Sequence, residues 1–293
     1  METNYLTDLM LPLSLAVIML GMGLSLVPAD FKRVFLFPRA AGIGIVNQII
    51  VLPLVGFGLL WLSGLRSPEL SVGIMILAAC PGGPTSNLIS HISKGDTALS
   101  ISLTAISSLV AVITIPLIVN LALSVYMPQG GYVPLPVFDT IIKLTLITLL
   151  PVSLGMLVRA RATGFAHRMN RPVKIVSGIL LFLIILAAIL NNKEIFVSSF
   201  RNVGPVALSL NLFMLFVGYF SARLFRLNRP QRITISVESG IQNGTLGITI
   251  ASTLLHNDVM AISPAIYSLI MFMTAGGIIA WANLGWKTLA ARA

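Results

Sequence analysis

Val237-Glu238-Ser239-Gly240-Ile241-Gln242-Asn243-Gly244 is a polar, glycine-rich stretch with apolar sequence on both sides. Glu238 decides how the chain reads. It is the only carboxylate far from either end of a long apolar run. The other eight acids (Glu2, Asp8, Asp30, Glu69, Asp96, Asp139, Glu194 and Asp258) fall in the N-terminal tail, in loops or at helix ends. An ionised carboxylate in hydrocarbon is costly unless it is paired, protonated, or in contact with water or a cation. No Lys or Arg lies in the same stretch to neutralise it. An acid, an amide pair and a helix break at membrane depth read as an ion or substrate site.

The rest of the chain fits that reading. Its 293 residues are 56% hydrophobic and 10% charged, with a mean hydropathy of +0.96. This is the composition of an all-α polytopic membrane protein and not of a soluble globule. No polar stretch is long enough for a separate soluble domain, so residues 1–293 read as one membrane domain. Cys80, the single cysteine, excludes an internal disulfide. Glu2 and Asp8 precede the first apolar run without a basic segment, so Leu9–Val27 is expected to be a retained span and not a cleaved signal.

Runs of roughly 20 apolar residues occur nine times, at about 9–27, 39–62, 69–90, 97–126, 138–158, 173–191, 203–222, 232–255 and 263–286. The third is interrupted at Pro81-Gly82-Gly83-Pro84 and the eighth at Gly240 to Gly244. Nine spans place the termini on opposite sides. Fifteen of the nineteen Lys and Arg then fall on one side, against Arg66, Lys143, Lys193 and Arg201 on the other. By the positive-inside rule the N-terminus is outside and the C-terminus cytoplasmic, in the inner (plasma) membrane. The net charge of +10 therefore faces anionic lipid, which argues against nucleic acid as a partner. Trp61, Trp281 and Trp286 near span ends read as interface anchors.

The two interrupted spans occupy matching places. Each is followed by one more span. Each is preceded by a span with an amide near its middle, Gln48 in one case and Asn211 in the other. They lie five spans apart, and an odd offset gives the two units opposite orientations. Paired interruptions in such repeats point to the site of a secondary transporter. The pattern is that of a five-plus-five design lacking its first helix.

Three polar clusters supply chemistry. Thr85, Ser86 and Asn87 follow the first break. Ser100, Thr104, Ser107 and Ser108 share one face of the next span by their spacing. Glu238 stands with Gln242 and Asn243 at the second break. A sodium ion, like other hard cations, takes carboxylate, carbonyl and hydroxyl oxygens. Those are on offer from Glu238, from Ser86, Ser100 and Thr104, from the amides of Asn87, Gln48 and Gln242, and from unwound backbone at Ser239 and Ile241. Metals that favour Cys and His are poorly served, since His91, His167 and His256 lie in loops or at span ends. The half-helices after each break point their N-termini at the membrane centre, where free N–H groups favour an anion.

Cys80-Pro-Gly-Gly-Pro-Thr-Ser-Asn87, with Lys94-Gly-Asp-Thr-Ala-Leu-Ser100 and Leu103-Thr-Ala-Ile-Ser-Ser108, resembles the bile acid:sodium symporter family. Glu238-Ser-Gly-Ile-Gln-Asn243 is similar to that family's second motif. The resemblance implies an inverted-repeat transporter with two broken crossing helices, here in a nine-helix form. It implies a core domain (about 39–126 and 203–286) and a panel domain (about 9–27 and 138–191). It implies two sodium sites and no other cofactor. The first would use Ser86, Asn87, Ser100, Thr104 and Glu238. The second would use Gln48, Glu238, Gln242 and the backbone at Ser239 and Ile241. Pro84, Thr85, Asn243 and Thr245 would meet the substrate. Pro84 departs from the pattern of bacterial members, which carry Thr there, and removes a hydroxyl and an N–H.

The resulting expectation is a sodium-coupled symporter importing an organic anion, bile-acid-like or a small carboxylate, and not an enzyme. Its partners are sodium, the anion and membrane lipid. A monomer is consistent with this, and the oligomeric state stays open. The alternatives are a proton-coupled organic anion carrier, with Glu238 titrating, and an arsenite-type oxyanion exporter, for which Cys80 is the candidate cysteine. A receptor-like sensor lacks a signalling domain, and a hydrolase lacks a catalytic pair at membrane depth.

Overall fold

The computed structural model of the chain describes residues 9–128, 133–191 and 193–290. Glu2, Asp8 and Arg292 lie outside the described residues, as do the side chains of Lys174, Lys193, Glu194, Trp286 and Lys287. Every regular element among the described residues is helical. In chain order they are α1 Leu11–Gly23, α2 Pro28–Leu36, α3 Pro38–Val46, α4 Leu52–Ser63, α5 Pro68–Ala79, α6 Pro84–Ile92 and α7 Thr97–Tyr126. There follow α8 Val137–Leu144, α9 Leu150–Arg161, α10 Thr163–Asn191, α11 Lys193–Leu224, α12 Arg229–Gly240, α13 Gly244–Thr249 and α14 Asp258–Ala290. Wider π turns at Asn47–Val51 and Thr145–Leu149 join α3 to α4 and α8 to α9, and a third at Ile250–Leu254 continues α13.

Helices dominate because hydrocarbon offers backbone groups no outside partner. Prolines open several of them, including Pro28, Pro38, Pro68 and Pro84, where a missing N–H costs nothing. Pro53 and Pro151 each follow a π turn, whose wider winding relieves the clash with the carbonyl four residues back. Side-chain caps mark other starts: Asp96 accepts from the Leu99 N–H and Asn228 from the Gln231 N–H.

Among the described residues, six helical stretches are long and apolar enough to cross a membrane: Pro38–Ser63, Thr97–Tyr126, Val137–Arg161, Thr163–Leu190, Ile195–Leu224 and Asp258–Leu284. Two bent pairs, α1 with α2 (68°) and α5 with α6 (64°), raise the number to as many as eight. The α5–α6 bend is the expected first break. The α1–α2 bend is a difference from the sequence reading, which treats Lys32 and Arg33 as loop. Here Asp30 accepts from the Val27 N–H and lies 3.6 Å from Arg33, so a short amphipathic helix forms instead. Helices α10 and α11 also begin about ten residues ahead of their apolar runs, because helix continues through polar sequence that hydropathy does not register.

Polarity is reversed relative to a soluble protein. Leu54, Ile113, Leu117, Phe182, Phe213 and Met273 are exposed, while Gln48, Ser100, Asn211, Glu238 and Gln242 are buried. Helix α5 packs on α7 and α14, and α11 on α12 and α14. Separately, α1 packs on α9 and α10. At the α1–α9 crossing the backbones nearly touch. A side-chain carbon on Gly155 would stand 2.4 Å from the Leu20 carbonyl oxygen and 2.8 Å from the Leu24 nitrogen. Backbone atoms cannot yield as a side chain does. Gly155→Val is therefore expected to lower stability by about 1–3 kcal/mol, read as melting of the purified protein in detergent. Gly178→Ala, with open space around it, is the control. Equal melting of the two variants would show that the crossing tolerates bulk.

Candidate functional site

The two breaks meet. The Asn243 N–H donates to the Pro81 carbonyl at 2.9 Å, joining the second interruption to the first by backbone. Helix α5 stops because Pro81 and Pro84 cannot donate to its ladder, and Pro84 is then placed to start α6. Helix α12 stops at Gly240. Asn243 opens α13, its Oδ1 accepting from the Leu246 N–H at 3.0 Å.

Glu238 lies against this crossing and is buried. Its neighbours are hydroxyls. Ser100 Oγ donates toward Oε1, and Thr104 Oγ1 is 2.9 Å from Oε2. Asn87 Oδ1 is 2.8 Å from Ser100 Oγ and 3.2 Å from Thr104 Oγ1. Ser86 Oγ lies 3.5 Å from Thr104 Oγ1 and directs its hydrogen to the Gly83 carbonyl. Each hydroxyl has one hydrogen to give. Ser100 and Thr104 both face two acceptors, so acceptor oxygens outnumber the hydrogens available to them. Such a cluster attracts a small cation. All five residues expected at the first sodium site are thus brought together. Gly82 completes the wall: a side-chain carbon there would stand 2.7 Å from Glu238 Oε2.

A second group forms beside it. Gln48, in the π turn between α3 and α4, donates from Nε2 to the Cys80 carbonyl and to Gln242 Oε1, both at 2.8 Å. Gln242 Nε2 donates to the Ser239 carbonyl at 2.8 Å. No local motif aligns Gln48, yet it touches Gln242 directly. Asn47, on the same turn, donates to Ser221 Oγ at 2.9 Å.

Of the residues expected to meet substrate, Asn243 lines a small cleft together with Met19, Pro81, Ser108, Leu144 and Thr148. Its Nδ2 is buried and has no hydrogen-bond partner among the described residues. Thr245 is buried, and Pro84 and Thr85 are half-buried at the start of α6; these three stand apart from the cleft wall. Ser107 and Ser108 both bond back to the Thr104 carbonyl. Cys80 is buried and its thiol donates to the Ile76 carbonyl at 3.2 Å. Among the described residues no three His, Cys, Asp or Glu side chains gather into a metal-binding group.

Asn211, which the sequence paired with Gln48 as the mid-span amide of the second half, and Tyr267, which the sequence reading did not place, share one acceptor. Asn211 Nδ2 and the Tyr267 hydroxyl both donate to the Gly240 carbonyl at 2.8 Å. They hold the last carbonyl of α12 much as Gln48 holds that of Cys80 at the other break. Tyr267 lies four residues into its apolar run, where a tyrosine reads as an interface anchor, so the sequence carried no signal for this role. Arg223 and Arg229, two of the fifteen cations on the side the sequence reading makes cytoplasmic, lie over the rings of Phe220 and Trp281.

A sequence model of the sodium bile acid symporter family matches residues 12–199. An uncharacterized sodium-dependent transporter, YocS, of Bacillus subtilis (strain 168) is 31% identical over 94% of this chain and 80% of its own length. The probable sodium/metabolite cotransporter BASS2, chloroplastic, of Oryza sativa subsp. japonica is 29% identical over 97% of this chain. The hepatic sodium/bile acid cotransporter of Rattus norvegicus is 28% identical over 87% of it. The chain spans 65% of the rice protein's length and 69% of the rat protein's. With nearly all of its length matched by sodium-dependent relatives, and a family model covering well over half, the chain belongs to the sodium bile acid symporter family.

Proposed function

We propose that this protein is a sodium-coupled symporter that imports an organic anion by alternating access. The observation that carries the reading is the acceptor-rich cluster of Glu238, Asn87, Ser86, Ser100 and Thr104 at the crossing of the breaks. These side chains come from α6, α7 and α12, so a cation held among them ties three helices together. A second sodium is taken by Gln48, Gln242, Glu238 and the carbonyls of Ser239 and Ile241, once the two glutamine amides turn their oxygens inward. Asn243 is fixed by its backbone bond to Pro81 and presents an unsatisfied amide N–H₂ to the cleft, which suits a carboxylate. Thr85, Thr245 and Pro84 remain proposed anion neighbours by their sequence position beside the two breaks, although none of them lines the cleft in this structure.

In this reading the α12 and α13 pair is a ninth crossing, and the two halves are inverted repeats. Spans α3–α7 and α11–α14 form the core, and α1 with α8–α10 the panel that rocks against it. The N-terminus is outside and the C-terminus cytoplasmic. Two sodium ions with a monoanion make the cycle electrogenic.

The test is uptake of a labelled bile salt and of a panel of small carboxylates into proteoliposomes. The driving force is an inward sodium gradient, with potassium in place of sodium as control. Sodium-driven uptake is expected. Uptake that ignores sodium and follows a proton gradient would overturn the coupling ion and recast Glu238 as a proton site.

A further inference from the structure

Three packed helices carry polar side chains in register toward Glu238. Residues four and seven positions apart share a helix face. Outward from Ser86, the same face of α6 carries Ser90 and then Ser93 at its end. Back from Thr104, the same face of α7 carries Ser100 and Thr97. Back from Glu238, the same face of α12 carries Thr234 and Gln231. Helices α6, α7 and α12 contact one another pairwise. The inner members, Ser86, Thr104 and Glu238, meet in the oxygen cluster. At the outer end Thr234 Oγ1 donates to the Asp96 carbonyl at 3.1 Å, and the Asp96 N–H to the Pro230 carbonyl at 3.3 Å. With about 1.5 Å of rise per residue, the seam runs roughly 10 Å from the break to the turn at Lys94.

Two hydroxyls in the seam have no packing explanation. Ser90 Oγ and Ser93 Oγ are fully buried and lack a hydrogen-bond partner among the described residues. Other buried hydroxyls find an acceptor, on their own helix as Ser102 does at Ala98, Thr249 at Thr245 and Ser268 at Pro264, or on a neighbour as Ser236 does at Leu215 and Ser263 at Leu70. An unsatisfied buried hydroxyl is destabilising and calls for a reason. The other side of α6 is ordinary lipid-facing surface, with Leu88 and Ile92 exposed.

We propose that this seam is the route by which sodium passes between the Glu238 cluster and water at the Lys94 turn, separate from the cleft that Asn243 lines. The proposal rests on the sodium-symport reading above. Hydroxyl oxygens one helical turn apart replace hydration oxygens in succession. Between Glu238 and the turn, the side chains that form the seam are hydroxyls and one amide, with Lys94 the cation at its outer end. The seam is closed in this structure and opens when α6 moves relative to α7 and α12.

The test uses single cysteines at Ser90, Ser93 and Leu88 in a Cys80→Ala background, reconstituted in proteoliposomes. A membrane-impermeant trimethylammonium methanethiosulfonate is applied to the Lys94 face, and labelling is followed by mass. Only variants that retain sodium-driven uptake are scored. Ser90→Cys and Ser93→Cys are expected to label at least about tenfold faster than Leu88→Cys. Saturating sodium is expected to slow Ser90→Cys by about tenfold or more. Labelling of Ser90→Cys no faster than Leu88→Cys, or indifferent to sodium, overturns the route. Should the cysteines abolish uptake, Ser90→Ala serves instead. It is expected to keep the sodium half-saturation and slow exchange of radioactive sodium about fivefold, and unchanged exchange overturns the route. The wild-type arm separates the two failures. Sodium-driven uptake with an inert Ser90→Cys sinks the route alone, and uptake indifferent to sodium sinks the symport reading beneath it.

Discussion

Glu238→Gln is expected to abolish sodium-driven uptake and to erase the rise in melting temperature that sodium gives the wild-type protein. The substitution keeps the size of the side chain and one acceptor oxygen. It replaces the other oxygen with an N–H₂ aimed at Ser100, Thr104 and Asn87. A cluster short of hydrogens becomes one with hydrogens to spare, and the charge that balances the cation is gone. Removing one partner from a buried charge pair costs about 3–5 kcal/mol, so sodium half-saturation should rise by at least about a hundredfold. The fold itself should survive, because a neutral amide is easier to bury than a carboxylate. A Glu238→Gln protein that melts normally and still responds to sodium as wild type would refute the ion site.

The second large effect is expected from one methyl group. Gly82→Ala places a carbon 2.7 Å from Glu238 Oε2 and 3.1 Å from Ser86 Oγ. The carboxylate must swing away, losing its contacts with Ser100 and Thr104. Sodium half-saturation should rise by about tenfold or more, equivalent to about 1.4 kcal/mol, with little change in melting when sodium is absent. Gly83→Ala is the informative contrast. Its added carbon would meet Asn243 Cγ at 3.5 Å, an ordinary contact, and so should disturb the anion more than sodium. Equal sodium titrations for the two alanine variants would contradict the placement of Glu238 against the first break.

Much of this was legible in the sequence because membrane segments must announce themselves. An uncovered polar group is so unfavourable in lipid that Glu238, Gln242 and the Pro-Gly-Gly-Pro break stand out without any tertiary information. Ser86 and Asn87 were picked out by their place after the break, Ser100 and Thr104 by a spacing that puts them on one helix face, and all four by the family motif. Other features are invisible to a linear reading. The Asn243–Pro81 bond and the Gln48–Gln242 pair join residues far apart in the chain, and nothing local specifies them. Tyr267 and Asn211 act through a single carbonyl, which only the finished backbone places. Helix α2 was missed because its charges read as loop, although Asp30 folds back to cap it. The back-bonding of Ser107 and Ser108, against the inward reach of Ser100 and Thr104, depends on what faces each residue, not on residue type.

The bond from the Asn243 N–H to the Pro81 carbonyl makes each half of the molecule a chaperone for the other. Severed from residues 193–290, the first half would present the carbonyl of Pro81 at membrane depth without its Asn243 donor, and the second half would hold an acid without its Ser100 and Thr104 partners. The first interruption gains its Asn243 donor, and Glu238 its hydroxyl partners, only when the last three helices and α7 are together. Insertion of this chain would then finish by the docking of two incomplete halves, not by adding one finished hairpin after another.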